Sequence, residues 1–207
     1  MGRGIWFWNR IAKSYSRKAV PDEGIYQQKL ERTRAYLTPD SEVLEFGCGT
    51  GTTALWQALH VKHILAIDYS AKMIAIARGK ALDLMADNVT FQQSDIESLD
   101  APDGSYDMVM GHSILHLLPN KDEVVGKVWH LLKPGGVFVS STVVMAEVPW
   151  LMKKLLPVGS AIGILPQVRF FSQQELEASM TGAGFEIVES WKPDDSDAVF
   201  LVVRKPV

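Results

Sequence analysis

The chain has 207 residues, 47% of them apolar and 22% charged, and a formal net charge of −3. These proportions exclude a disordered chain, a collagen-like repeat and a coiled coil, and the charge is too small to drive nucleic-acid binding by bulk electrostatics. One cysteine, Cys48, excludes a disulfide framework and a cysteine-cluster zinc site.

Residues 1–40 hold eight basic and four acidic side chains, a net +4 set against −7 in the remainder. Two helices are expected here, one with Trp8, Ile11, Ala12 and Tyr15 on a common face and one with Tyr26 and Leu30, followed by Leu37. The N-terminus has four consecutive apolar residues, too few for a secretory signal. The uncharged runs 134–146 and 155–168 are 13 and 14 residues long, short of the roughly 18 a spanning helix needs. The chain therefore reads as cytoplasmic, without stable membrane insertion.

Strand-like and helix-like segments alternate from residue 42 onward. Residues 42–46 read as a strand closed by glycines, 52–60 as a helix and 63–67 as the next strand. Ser70 caps a helix running to Leu84, with Met73, Ala77, Ala81 and Leu84 on one face. Strands follow at 88–92 and 106–110. Asn120-Lys-Asp-Glu123 has capping-box spacing ahead of Val124, Val128 and Leu131, and Lys133-Pro-Gly-Gly136 stops that helix before a strand at 137–144. Ser172-Gln-Gln-Glu175 opens a last helix that Gly184 closes, and 185–191 and 198–203 form a terminal hairpin. This alternation predicts a single α/β domain: a parallel sheet with helices on both faces, right-handed crossovers and one antiparallel strand. Residues 1–40 and 147–170 fall outside the alternation. In open α/β sheets the ligand sits beyond the carboxyl ends of the strands, and added segments cover that edge.

The informative stretch is Glu45-Phe-Gly47-Cys-Gly49-Thr-Gly51, which follows a strand and opens a helix. The glycines allow a tight turn and close ligand approach. The phosphate-binding form G-x-G-x-x-G needs glycine at position 52, where this chain has Thr52, and no P-loop lysine is present. Glu45 would repel a pyrophosphate and suit a cation. S-adenosylmethionine, with a sulfonium, an α-ammonium and no phosphate, meets that requirement. Asp68 ends the second strand, 17 residues after Gly51, where a carboxylate can accept both ribose hydroxyls; Asp95, after the third strand, can accept from an adenine amine.

The ordered set Val43-Leu-Glu-Phe-Gly-Cys-Gly-Thr-Gly51, Ala66-Ile-Asp-Tyr-Ser70, Ser94-Asp-Ile96, Tyr106-Asp-Met-Val-Met110 and Leu131-Leu-Lys-Pro-Gly-Gly-Val-Phe-Val139 resembles the successive motifs of class I S-adenosylmethionine-dependent methyltransferases. It is similar in particular to the ubiquinone/menaquinone-biosynthesis group. The resemblance implies a Rossmann-like seven-stranded sheet in order 3-2-1-4-5-7-6 with strand 7 antiparallel. It also implies that Gly47, Gly49 and Gly51 pack against the methionine part of S-adenosylmethionine and that Asp68 holds the ribose. Asp95 and Ile96 would meet the adenine, Tyr69 and Met73 would line its slot, and Gly111 would face the α-amino group. Residues 1–40 would be lid helices that bring Tyr15 to the cofactor, and 147–170 an insertion over the acceptor site.

Methyl transfer from a sulfonium is an in-line displacement that needs alignment and water exclusion more than a catalytic group. His112 and His116 border the expected acceptor side; His112 is the candidate base or substrate contact, and no metal role is assigned to the pair. No Asn/Asp-Pro-Pro-Tyr motif follows the fourth strand, and Cys48 lies in the glycine loop, which disfavours DNA-base amines and cytosine C5 as acceptors. Aromatic and aliphatic residues such as Trp6, Phe7, Trp8, Trp150 and Ile162 make the two extra segments apolar, so the expected acceptor is a small apolar molecule. The lysines and arginines beside them read as a solvated face rather than a membrane-docking surface, although peripheral contact stays open. A cofactor-holding module without turnover and an NAD(P)-dependent oxidoreductase remain as other readings.

Overall fold

The computed structural model describes residues 2–18, 22–144, 168–194 and 196–207. In chain order the elements are α1 (Gly2–Tyr15), α2 (Glu23–Arg34), β1 (Glu42–Phe46), α3 (Thr52–Ala58), β2 (His63–Asp68), α4 (Ala71–Asp83), β3 (Val89–Gln93) and β4 (Tyr106–His112). A 3-10 turn (Leu115–Leu117), α5 (Lys121–Leu131), β5 (Leu132–Val143), α6 (Gln173–Gly182), β6 (Glu186–Trp191) and β7 (Ala198–Arg204) complete it.

The seven strands form one sheet in order β3-β2-β1-β4-β5-β7-β6, as expected. The pairs from β3 to β5 are parallel, and β7 runs antiparallel to both β5 and β6. The two-residue period of a strand assigns side chains to opposite faces. Val43, Ile64, Ala66, Met108 and Val139 meet Ala54, Leu55, Ile74 and Ala77 from α3 and α4. Leu44, Phe46, Ile67, Val109 and Phe138 meet Val128 and Leu131 of α5 and Leu176 and Met180 of α6. Each fully buried Leu, Val or Phe contributes about 1.5–3 kcal/mol, so both layers stabilise the packing of the sheet against its helices.

Ser70 caps α4 through the Met73 amide, and Ser172 and Glu175 form the complete capping box of α6. Three local expectations are corrected. The Asn120 side chain does not cap α5; at ψ 47° it is off the extended geometry an N-cap uses, and its amide donates to Glu123 at 3.1 Å. Leu84 is 65% exposed, because α4 ends at Asp83 and its buried face is Met73, Ile74 and Ala77. Residues 133–136 end α5 yet belong to β5, as an irregular stretch between the pairs Tyr106–Leu132 and Met108–Val137.

The first two helices are tied to the sheet's carboxyl edge by side chains. The Asn9 carbonyl oxygen on α1 accepts from the Ser70 hydroxyl at 2.8 Å and from the Lys72 amide at 3.1 Å. Asp22 caps α2 through the Ile25 amide. Arg32 then pairs with Glu189 and lies 4.4 Å above the Trp191 ring, while Gln57 of α3 donates to the Leu30 carbonyl at 2.9 Å. These anchors hold α2 across the ends of β1, β4 and β5. Among the described residues no helix is long and apolar enough to cross a membrane.

Candidate active site

The β1–α3 turn is built from three glycines with positive φ: Gly47 at 66°, Gly49 at 54° and Gly51 at 75°. Two of them are packed. A Cβ on Gly47 would lie 2.8 Å from Ile114, and one on Gly51 would lie 2.5 Å from the Phe91 ring. At Gly49 the nearest atom is a Tyr15 ring carbon at 3.9 Å, an ordinary van der Waals contact that leaves space beside the loop.

That space is a cavity of about 540 Å³ whose wall includes Tyr15, Tyr26, Lys29, Glu45, Gly47, Gly49, His112, Ser113 and Ser141. Glu45 is on the α3 side of β1, the same face as Val43, and is 2% exposed. Its Oε2 has no hydrogen-bond partner among the described residues. Burial, opposed by the Ala54 amide and reinforced by Asp68, raises its pKa to about 8, so it is largely protonated at neutral pH in the free protein.

Asp68 closes β2 beside it. Its Oδ2 accepts from the Gly49 amide at 3.0 Å and its Oδ1 from the Ser70 amide at 2.8 Å, so one carboxylate joins the glycine turn to the start of α4. Burial raises its pKa while those two amides lower it. Tyr15, at the end of α1, has a raised pKa from burial and then from Asp68 and Glu45, which fixes its hydroxyl as neutral.

On the β4–β5 side, His112 closes β4 and pairs in register with Ser141 of β5. Its Nε2 is buried without a partner among the described residues, and burial together with the Lys29 charge lowers its pKa to about 4. His116, also lowered to about 4 by burial, is in the following 3-10 turn and outside the cavity wall. Ser113 adopts φ 53°, and its amide donates to the Ser141 carbonyl at 2.6 Å. A serine in the left-handed region is strained and persists only where its surroundings hold it.

Of the residues singled out from the sequence, Glu45, Gly47, Gly49, Tyr15 and His112 share this cavity, and Asp68 is bonded to its glycine wall. Gly51, Met73, Ile96 and Gly111 are packed beneath: Met73 and Ile96 are 1% and 3% exposed, and a Cβ on Gly111 would strike the Phe46 ring at 2.5 Å. Tyr69 is away from this wall, with its hydroxyl against Gly4 of α1 and a pKa raised by burial and then by Asp68. Asp95 caps a turn through the Ser98 amide at 2.7 Å. Sequence reasoning missed Tyr26, Lys29, Ser113 and Ser141. The only prior signal for Lys29 was its helical spacing of three from Tyr26. Of the segment 147–170, only 168–170 are among the described residues. Among the described residues no group of three or more His, Cys, Asp or Glu side chains is arranged to hold a metal ion.

Residues 37–182 match a family model described as Methyltransferase domain. The chain is 29% identical over 165 residues to an arsenite methyltransferase of Halobacterium salinarum, covering 78% of this chain and 41% of that protein. It is 32% identical over 139 residues to a malonyl-[acyl-carrier protein] O-methyltransferase of Bacillus cereus, covering 65% of this chain and 50% of the relative. The chain thus spans about half or less of the length of these relatives. The solved structure of YcgJ from Bacillus subtilis superposes with a TM-score of 0.72 at 20% identity, over 87% of this chain and 99% of that one.

Proposed function

The chain belongs to the methyltransferase domain family, its cofactor is S-adenosylmethionine, and from that premise we propose that it methylates a small-molecule acceptor inside the cavity described above. The observation that carries the reading is the buried, unpartnered Glu45 oxygen facing a cavity walled by the glycine turn. A buried carboxyl oxygen that lacks a partner among the described residues is suited to receive a cationic ligand.

The residues present fit the cofactor. Gly49 leaves the backbone accessible to the amino-acid part, Gly47 turns the loop against Ile114, and Glu45 receives the positive charge. Asp68 keeps lone pairs beyond those used by Gly49 and Ser70, and these accept from the ribose hydroxyls. The resemblance gives Tyr69, Met73, Asp95 and Ile96 to the adenine side and Gly111 to the backbone under the α-amino group, five residues outside the wall of this cavity, and Tyr15, which is in the wall, to the cover over the site. S-adenosylmethionine supplies a methyl carbon already activated by a positively charged sulfur and given up by in-line displacement. The protein's work is alignment and dehydration.

Residues 1–40 serve as the cover: Tyr15, Ile25, Tyr26 and Lys29 all contribute to the wall. Ile25, Leu30 and the tyrosine rings are the apolar part of that wall and support an acceptor that is apolar over part of its surface. His112, neutral at physiological pH, offers Nε2 to the acceptor as a hydrogen-bond partner or a weak base.

The test is calorimetric binding of S-adenosylmethionine, followed by incubation with small acids, alcohols, amines and thiols while S-adenosylhomocysteine is measured. Micromolar binding with product from one acceptor class is the expected result. Binding without product from any acceptor would leave a cofactor-holding module, and binding of NAD instead would overturn the reading.

A further inference from the structure

We propose that the acceptor carries a carboxylate, and that Lys29 docks it on the β4–β5 side of the cavity. This rests on the methyltransferase reading above and names the acceptor class for that site.

The Lys29 ammonium is part of the cavity wall and donates to the Ser141 hydroxyl at 3.0 Å. Among the described residues no carboxylate lies within salt-bridge distance of it. Its hydrogen-bond partner Ser141 and the nearby His112 are both neutral, and burial lowers its pKa, so the ammonium is held where a charge is costly. An anion entering the cavity relieves that cost, with the serine hydroxyls and His112 Nε2 as further hydrogen-bond partners.

The position of Lys29 separates it from the cofactor half of the site. Glu45 is in β1 with the glycine turn directly after it, and Asp68 ends β2, whereas His112 ends β4 and its register partner Ser141 is near the end of β5. A positive group placed two strands away from the carboxyl that receives a cation divides the cavity into a cation side and an anion side. The Arg32–Glu189 pair and the Gln57–Leu30 bond hold α2 so that Lys29 keeps this position.

The experiment titrates hexanoate, 1-hexanol and hexylamine, which share one alkyl chain, into the protein alone and into the protein saturated with S-adenosylhomocysteine. Hexanoate is expected to bind at least about tenfold more tightly than the other two, with K29M abolishing the preference and K29R retaining most of it. S-adenosylhomocysteine affinity is expected to be the same in K29M and the parent. Equal affinity for all three probes, no binding of any, or a preference that survives K29M overturns the proposal. Weakened S-adenosylhomocysteine binding in K29M with an unchanged hexanoate preference assigns the ammonium to the cofactor and overturns it as well. Failure of S-adenosylhomocysteine to bind the parent protein, while hexanoate binds it, refutes the cofactor reading and leaves the anion site standing.

Discussion

The Gly49 amide donates to the Asp68 carboxylate across 3.0 Å, joining the glycine turn after β1 to the end of β2. The second oxygen of Asp68 takes the Ser70 amide, so the same side chain also sets the start of α4. Asp68 is therefore a structural residue of the site as well as a proposed ligand for the ribose. Asp68→Ala leaves both amides without their acceptor and is expected to cost about 1–3 kcal/mol of stability in addition to weakening cofactor binding. Urea unfolding without cofactor measures the first effect and calorimetric titration the second; a variant with unchanged stability would contradict the bridging role.

Glu45 makes cofactor affinity depend on pH in a defined direction. Its pKa is about 8 in the free protein, and a cation binds the ionised form. Affinity is expected to rise with pH by up to about tenfold per unit below that value and to level off above it. Glu45→Gln removes the dependence and weakens binding. A flat affinity between pH 6 and 9 in the parent would contradict the assignment.

The same shift has the opposite consequence for stability. The folded-state pKa of about 8 is above the ordinary value of 4.5, so the proton's contribution to stability is complete below the lower value and is lost as pH rises through the higher one. Glu45→Gln has no such loss. Its melting temperature, measured without cofactor, is expected to match the parent near pH 4 and to exceed it increasingly toward pH 8.

Gly49 and Gly51 separate binding from folding. A methyl group on Gly51 meets the Phe91 ring and Ala77 at a positive φ, and Gly51→Ala is expected to cost roughly 2–4 kcal/mol. Gly49→Ala meets only the Tyr15 ring, at ordinary contact distance, and is expected to cost roughly 1 kcal/mol, from backbone strain alone. Its larger effect falls on cofactor affinity, because the added methyl enters the cavity. Denaturant midpoints and titrations of the two variants show whether the order holds.

His112 is expected to leave no inflection in the acceptor pH profile between 6 and 7, since burial and Lys29 hold its pKa at about 4. His112→Gln is expected to lower kcat/KM about tenfold through a lost hydrogen bond. An inflection near 6.5 that disappears in the variant would show that the histidine titrates in its ordinary range.

Strand alternation, the helix stop signals and the glycine turn were readable along the chain because they are local. A two-residue period, a serine cap three residues before its amide partner, and glycines where φ turns positive all act within a few residues. The sheet order came from the resemblance to class I methyltransferases, not from any local pattern. The failures were also local: Asn120 has the right spacing for a cap but the wrong backbone angle, and Leu84 keeps the helical period after α4 has ended. Tyr26, Lys29, Ser113 and Ser141 carry no mark in the sequence as cavity residues. Lys29 reaches Ser141 over a separation of 112 residues, through anchors on α3 and β6 that no periodicity announces. Short-range sterics and hydrogen bonding are written into neighbouring residues. The pairing of a buried charge with a distant wall depends on how the helices pack across the strand ends, and only the folded chain brings those groups within reach.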